Sequence, residues 1–353
     1  MKIECAQRFR PFCHLPGTYF ILPGTSFRVQ LFPTYVKAED LSGPLPRFVG
    51  AFSLPIKGPV EKFTVLQNLE RRELCVWGGS QEGFMRYRLR EKGKCIQVRL
   101  EKLPTLSATP EFAHPFLLDE GNYSLSQEPA LERLALGNHK AQDWELIRRR
   151  ADFTEIFPLW HALGQMTPAH GTEKRGTAAL LQECAALIDG RHPEKILDGF
   201  SRLWLAGFES GLSPRLNDED FQGIVESVEF RGNESSSPLQ LLTEGYRLIR
   251  SLFLQERGEA LCLLPALPPA FHCGRLLQAR CEKGLLQIEW TKKAVRRVCF
   301  TASCSGNISF CFFQGEKRCR VRQGTADPGR QLCSGEQIAV SAGTLYWLDR
   351  FQR

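Results

Sequence analysis

Strict two-residue alternation is the feature that most narrows what this chain can fold into. Met85-Arg86-Tyr87-Arg88-Leu89 and Ile96-Gln97-Val98-Arg99-Leu100 carry an apolar side chain at every second position, with arginine or glutamine between. Successive side chains of a strand point to opposite faces, so each segment turns one face to a core and the other to water. Further strand-length runs cover 26–32, 62–69 and 73–77, separated by Gly, Pro and charged turns. Pro16-Gly17-Thr18 and Pro23-Gly24-Thr25 read as two turns bracketing one short strand. Residues 1–123 are therefore expected to form an N-terminal antiparallel β-sandwich.

The period changes from about Ser124. Helices are predicted over 127–136, 140–150, 154–165, 177–188 and 193–208, with Gly137, Gly164 and Gly190 as punctuation. Ser237 before Pro238 is an N-cap signal. Leu242, Tyr246, Ile249 and Phe253 then recur at helical spacing, and Gly258 offers the stop. Strand-like runs return at 261–264, 285–290, 298–301, 308–313 and 345–348. The expected fold class is multidomain α and β: the sandwich, a helical domain over 124–257, and an antiparallel β-domain over 258–353.

Bulk properties exclude several function classes. At 353 residues the chain is too long for one ordinary core, and 42% hydrophobic with 24% charged content is that of a globular protein. No run approaches the roughly 18 apolar residues of a membrane helix. Glu4, Arg8 and Arg10 interrupt any signal-peptide core, so a cytoplasmic location is expected. Eight of the thirteen cysteines lie between Cys262 and Cys333, and no Cys-x-x-Cys pair occurs. Reduced, mostly buried thiols are expected rather than a zinc site or a disulfide framework. The absence of His-x-x-x-His pairs, phosphate loops and nucleophile elbows predicts neither metal nor cofactor. The net charge of +7 is uneven, with twelve Lys and Arg against four Asp and Glu between Arg275 and Arg330. With no nucleic-acid motif beside it, this excess reads as a solvated sheet face, and no nucleic acid or membrane partner is expected.

One stretch carries a family likeness. Leu254-Gln255, Leu263-Leu264-Pro265-Ala266-Leu267-Pro268, then Gly274, Leu277, Ala279-Arg280 and Ile288-Glu289-Trp290 stand in a familiar order. They resemble the junction at which the helical toroid of inverting alpha-L-fucosidases passes into its C-terminal β-domain. Gln142-Asp143-Trp144 is similar to the family segment bearing the general acid, and 214–223 to the segment whose aspartate helps activate water. The resemblance implies Asp143 as the acid and Asp218 as the base partner, with Trp144 and Trp160 as apolar, sugar-stacking walls.

Inverting hydrolysis needs two such carboxylates about 6.5–9.5 Å apart. The chain also departs from the family. Asp143 is one methylene shorter than the family's glutamate, and the first half of the twelve-helix ring has no counterpart. The implied function is a carbohydrate-active protein with a glycan partner and weak, altered or lost hydrolysis. The alternative is a non-catalytic structural or interaction protein that uses the partial toroid as an assembly surface. Without the resemblance, Asp143 reads as an exposed first-turn carboxylate and 217–220 as a solvated acidic turn.

Overall fold

The computed structural model describes residues 3–104, 110–119, 131–169, 171, 176–215, 237–324 and 326–353. The N-terminal strands are β1 (Phe12–Cys13), β2 (Thr18–Ile21), β3 (Phe27–Leu31), β4 (Tyr35–Asp40), β5 (Arg47–Ser53), β6 (Glu61–Asn68), β7 (Glu73–Ser80), β8 (Gly83–Lys92), β9 (Cys95–Lys102) and β10 (Phe116–Leu118). They form one sheet in the order β1-β6-β7-β8-β9-β10 and a second in the order β2-β3-β4-β5. All pairings are antiparallel except β10 on β9.

The alternation in β8 sets the faces. Met85, Tyr87 and Leu89 are fully buried, as are Ile96 and Val98 of β9. Arg86, Arg88 and Arg90 stand on the other side, where Arg88 and Arg90 both reach the buried carboxylate of Glu73. Phe52 of β5 meets Tyr87 and Phe116 edge-on, which closes the space between the two sheets.

The middle of the chain holds β11 (Arg133–Ala135) and five helices: α1 (Trp144–Arg150), α2 (Phe153–Met166), α3 (Ala179–Asp189), α4 (Pro193–Gly207) and α5 (Gln240–Ser251). The helix expected over 127–136 is not formed in its described part. Arg133–Ala135 pairs instead with Cys273–Cys281 of the C-terminal sheet. Three residues of local helical spacing are outweighed there by the hydrogen bonds of an open sheet edge.

Gly164 is not a stop either. It lies inside α2, where a Cβ would strike the Leu242 carbonyl, and Gly245 of α5 answers it by leaving room for the Trp160 ring. The glycine pair lets α2 and α5 pack closely. The final helix is also shorter than its periodicity suggests. It ends at Ser251, and Gly258, at φ +59°, makes the turn of a hairpin rather than a helix cap.

That hairpin is β12 (Leu254–Arg257) and β13 (Ala260–Leu263), followed by β14 (Cys273–Cys281), β15 (Gly284–Thr291), β16 (Ala294–Ala302), β17 (Gly306–Phe312), β18 (Arg318–Gln323), β19 (Arg330–Cys333), β20 (Gln337–Val340) and β21 (Leu345–Gln352). They build a seven-stranded sheet, β11-β14-β15-β16-β21-β18-β19, and a four-stranded sheet, β12-β13-β17-β20. The architecture is thus mixed α and β, with largely antiparallel sheets at both ends of the chain, five helices between them, and a C-terminal β-domain.

On the outer face of the seven-stranded sheet, cross-strand register lines up opposite charges. Arg275 opposes Glu289, and Glu289 opposes Arg297. Glu289 accepts from both arginines, at 3.1 and 2.5 Å. Farther along, Arg320 of β18 opposes Asp349 of β21 and binds it through two 2.8 Å hydrogen bonds. Such cross-strand pairs stabilise a sheet at its surface.

Candidate functional site

Of the residues suggested by the family resemblance, the structure describes Asp143, Trp144 and Trp160. Asp143 caps α1: its Oδ1 accepts from the Glu145 N–H at 2.9 Å, satisfying one of the helix's orphan donors. The preceding Gln142 is held by Phe12 and Arg10, whose backbone N–H groups donate to its carbonyl and to its side chain. Asp218 lies outside the described residues.

Trp144 is buried, stacked 6.4 Å from Trp204 and closed over by Gly211. Trp160 is 0% exposed, surrounded by Phe200, Trp204 and Phe208, and its indole N–H donates to the Leu241 carbonyl at 3.2 Å. Both rings are enclosed by protein, so the aromatic faces belong to the core. An apolar helix segment buried on nearly all sides, as α2 is, has no other place for a large ring.

What the fold does bring together is a charged cluster on one face of the β2–β5 sheet. Arg28 of β3 is only 8% exposed and opposes Glu39 of β4 in register. Its Nε and Nη2 donate to Glu39 Oε2 at 3.1 and 2.7 Å. Its Nη1 donates to Glu209 Oε1 at 2.7 Å, so one guanidinium bridges two carboxylates from segments 170 residues apart. The guanidinium lies 4.4 Å from the centre of the Tyr19 ring of β2.

Glu209 is aimed by the turn after α4. Ser213 donates to it at 3.2 Å, and Ser210 exchanges hydrogen bonds with the Tyr19 backbone. Lys37 extends the cluster to the surface, with its ammonium 2.7 Å from Glu39 Oε1. Burial on its own would raise the Glu39 carboxyl, but the hydrogen bonds from Lys37 and Arg28 outweigh it and hold the group below its ordinary value. The Glu39 carboxylate in turn raises the Lys37 ammonium.

The same face carries exposed rings. Phe48, which opposes Glu39 on β5, is 59% exposed, and Lys37 stands 6.0 Å from its ring centre. Tyr35 is exposed two residues before Lys37 on the same strand. Arg28 and Glu39 carry no motif in the sequence. Only their shared parity on neighbouring strands of a hairpin could have flagged them, and nothing local to Glu209 links it to them. The arrangement offers planar polar groups of both charges, fixed by one another, beside an open aromatic ring.

A second charged cluster ties the helices to the C-terminal sheet. Glu132 accepts from Arg250 Nε at 2.9 Å and from the Arg280 N–H at 2.9 Å. His161, fully buried, has its Nε2 3.7 Å from the same carboxylate, and Tyr246 meets its ring edge-on. Burial pushes the His161 imidazole below its ordinary value, although the Glu132 carboxylate pulls the other way. Glu132 and His161 are buried and Arg250 and Tyr246 half-buried, and the cluster reads as structural. Among the described residues, no group of three or more His, Cys, Asp or Glu is placed to hold a metal ion. No helix of the described residues is long and apolar enough to cross a membrane.

Neither a protein-family model nor a curated protein matches the chain. Among solved structures, a GH127 beta-L-arabinofuranosidase from Geobacillus stearothermophilus T6 is similar at 13% identity with a TM-score of 0.23. The match covers 50% of this chain and 31% of that one. The chain thus spans about a third of the length of that enzyme.

Proposed function

We propose that this protein binds carbohydrate on the polar face of the β2–β5 sheet, with hydrolysis weakened, altered or lost. The observation that carries the reading is the Arg28 bridge between Glu39 and Glu209, with Lys37 and the exposed Phe48 ring at its mouth. Sugars present vicinal hydroxyls on one side and C–H faces on the other. Oriented carboxylate, ammonium and guanidinium groups match the hydroxyls, and an open aromatic ring matches the C–H face. The fucosidase-like sequence junction supports the same substrate class.

Where hydrolysis persists, Asp143 and Asp218 are its proposed acid and base. Asparagine caps a helix as well as aspartate does. Asp143→Asn should therefore abolish release of nitrophenol from aryl glycosides while leaving the melting temperature nearly unchanged, and Asp218→Asn should abolish the same release. The enclosure of Trp144 and Trp160 favours the competing reading, a scaffold whose rings serve only packing.

A panel of immobilised neutral glycans separates the two. Retention of the wild type, weakened about tenfold by Phe48→Ala or Glu39→Gln, is the expected result. Failure to retain any glycan leaves the scaffold reading standing.

A further inference from the structure

We propose that a cleft at the rim of the seven-stranded C-terminal sheet binds the sulfate or phosphate ester of a saccharide. Four arginines line it, Arg318 and Arg320 from β18, Arg330 from β19 and Arg350 from β21, together with Gln331 and Gln352. Its volume is about 290 Å³, and no carboxylate and no aromatic ring lies among the described lining residues.

The arginines differ in what neutralises them. Arg320 is engaged by Asp349, and Arg330 by Glu336 at 2.6 Å. Among the described residues Arg318 has a neutral acceptor: the Gln331 carboxamide, with its oxygen turned toward it, accepts from Nε and Nη1 at 2.9 Å each. Arg350 is exposed and makes no close ion pair among the described residues, although its charge helps hold the neighbouring Asp349 carboxyl down behind the contributions of Arg320 and Arg322. Two guanidiniums thus line one small cleft without a carboxylate in direct contact among the described residues. Farther along the same sheet, Arg275 and Arg297 each reach an acid, the shared Glu289.

The backbone adds an independent observation. The register of β18 against β21 slips between Arg318 and Arg320, and Arg350 sits in that irregularity at φ +54°. A bulge redirects a side chain, and the left-handed region is a strained place for a long L-residue. Strain of this kind collects where a ligand is held.

Guanidinium forks pair with two oxygens of a tetrahedral oxyanion, which a lysine patch would not do with the same geometry. Single-stranded nucleic acid would call for rings on which bases stack, and the described lining has none. Gln352 instead offers a carboxamide suited to a neighbouring hydroxyl. That the ester is carried by a sugar rests on the carbohydrate reading above, whereas the anion site rests on the arginines alone.

Calorimetric titration of the full chain tests the proposal with four probes: a sulfated disaccharide, its desulfated parent, inorganic sulfate and a single-stranded hexanucleotide. The sulfated disaccharide should bind saturably. Arg318→Gln and Arg350→Gln should each weaken it about tenfold, as expected for a lost charged hydrogen bond. Arg296→Gln, an equal charge loss elsewhere on the surface, should leave it unchanged. Arg350→Lys, which keeps the charge and loses the fork, should fall between, and it serves with Arg350→Gln should Arg318→Gln fail to fold.

Equal losses in all variants would mean a diffuse field and overturn the site. Binding of inorganic sulfate without the disaccharide overturns the saccharide, and tighter binding of the hexanucleotide with the same variant sensitivity overturns it in favour of nucleic acid. No saturable binding overturns the site itself. Neutral-glycan retention by the β2–β5 face should survive in Arg350→Gln, so failure of one reading is distinguishable from failure of the other.

Discussion

On the β2–β5 face, one buried arginine is shared by two carboxylates, and a lysine completes the set. At the rim of the C-terminal sheet, four arginines crowd one cleft, and among the described residues two of them make an ion pair. Both arrangements are built from the same side chains on antiparallel strands, and the difference lies in burial. Arg28 is enclosed, and removing a charge from water is affordable only with complete pairing. Arg318 and Arg350 keep their hydration, so an unmatched charge costs little there and stays available to a ligand. The buried pairs fix the groups of the first face in place beside the half-buried Lys37 and the exposed Phe48, whereas the exposed arginines of the second keep charge to spare.

The largest expected effect tests the buried side of this contrast. Arg28→Ala leaves Glu39 with one partner fewer in a buried site and should cost about 3–5 kcal/mol in urea unfolding. A loss below about 1 kcal/mol would place Glu39 and Glu209 in effectively solvated surroundings and erase the distinction. Arg350→Gln, by contrast, should leave the urea midpoint nearly where it was.

Packing supplies the next effect. Gly245→Ala drives a methyl group into the Trp160 ring and should cost about 1–3 kcal/mol. A neutral result would mean that α2 and α5 separate easily, and the enclosure of Trp160 would no longer argue against a role in binding.

The second buried cluster predicts a pH dependence. The folded value of His161 is depressed, so the unfolded state binds the proton more readily. Its contribution to stability is present above the ordinary histidine value near 6.5 and is lost as pH falls through the folded value. The Glu132 carboxyl is also held below its ordinary 4.5; burial opposes this, and His161 and Arg250 outweigh it. Its contribution is lost at lower pH still. Thermal unfolding between pH 7 and 5 should therefore show a decline that His161→Gln flattens, and an unchanged slope in that variant would assign the decline elsewhere.

The smallest effect concerns the thiols. All thirteen cysteines are free; of the eight between Cys262 and Cys333, three are buried, two half-buried and three exposed. The expectation of mostly buried thiols is met only in part. Cys273, Cys304 and Cys333 should react with a thiol reagent in the native state, and Cys262, Cys299 and Cys319 only on unfolding.

Periodicity carried most of the strands. The alternation in 85–89 and 96–100 reads directly as β8 and β9, because a two-residue period has one structural meaning over five residues. Helices were legible where an apolar stripe ran beyond ten residues, as in α2 and α4. Arg133–Ala135 and Leu254–Arg257 were not, since their strand character comes from partners far along the chain.

The candidate site divides the same way. From sequence, Asp143 could be identified as a carboxylate at a helix start; it is the N-cap, one residue before the first turn, because the helix begins at Trp144 and a helix N-terminus is a local event. Trp144 and Trp160 could be marked as aromatic but not as enclosed, because enclosure depends on which helices face them. The partnership of Arg28 with Glu39 depends on strand register, and that with Glu209 on a contact across 181 residues. Local propensity and period set the elements of this protein. The pairing of its charges was decided only when tertiary packing fixed which groups lost their water and which kept it.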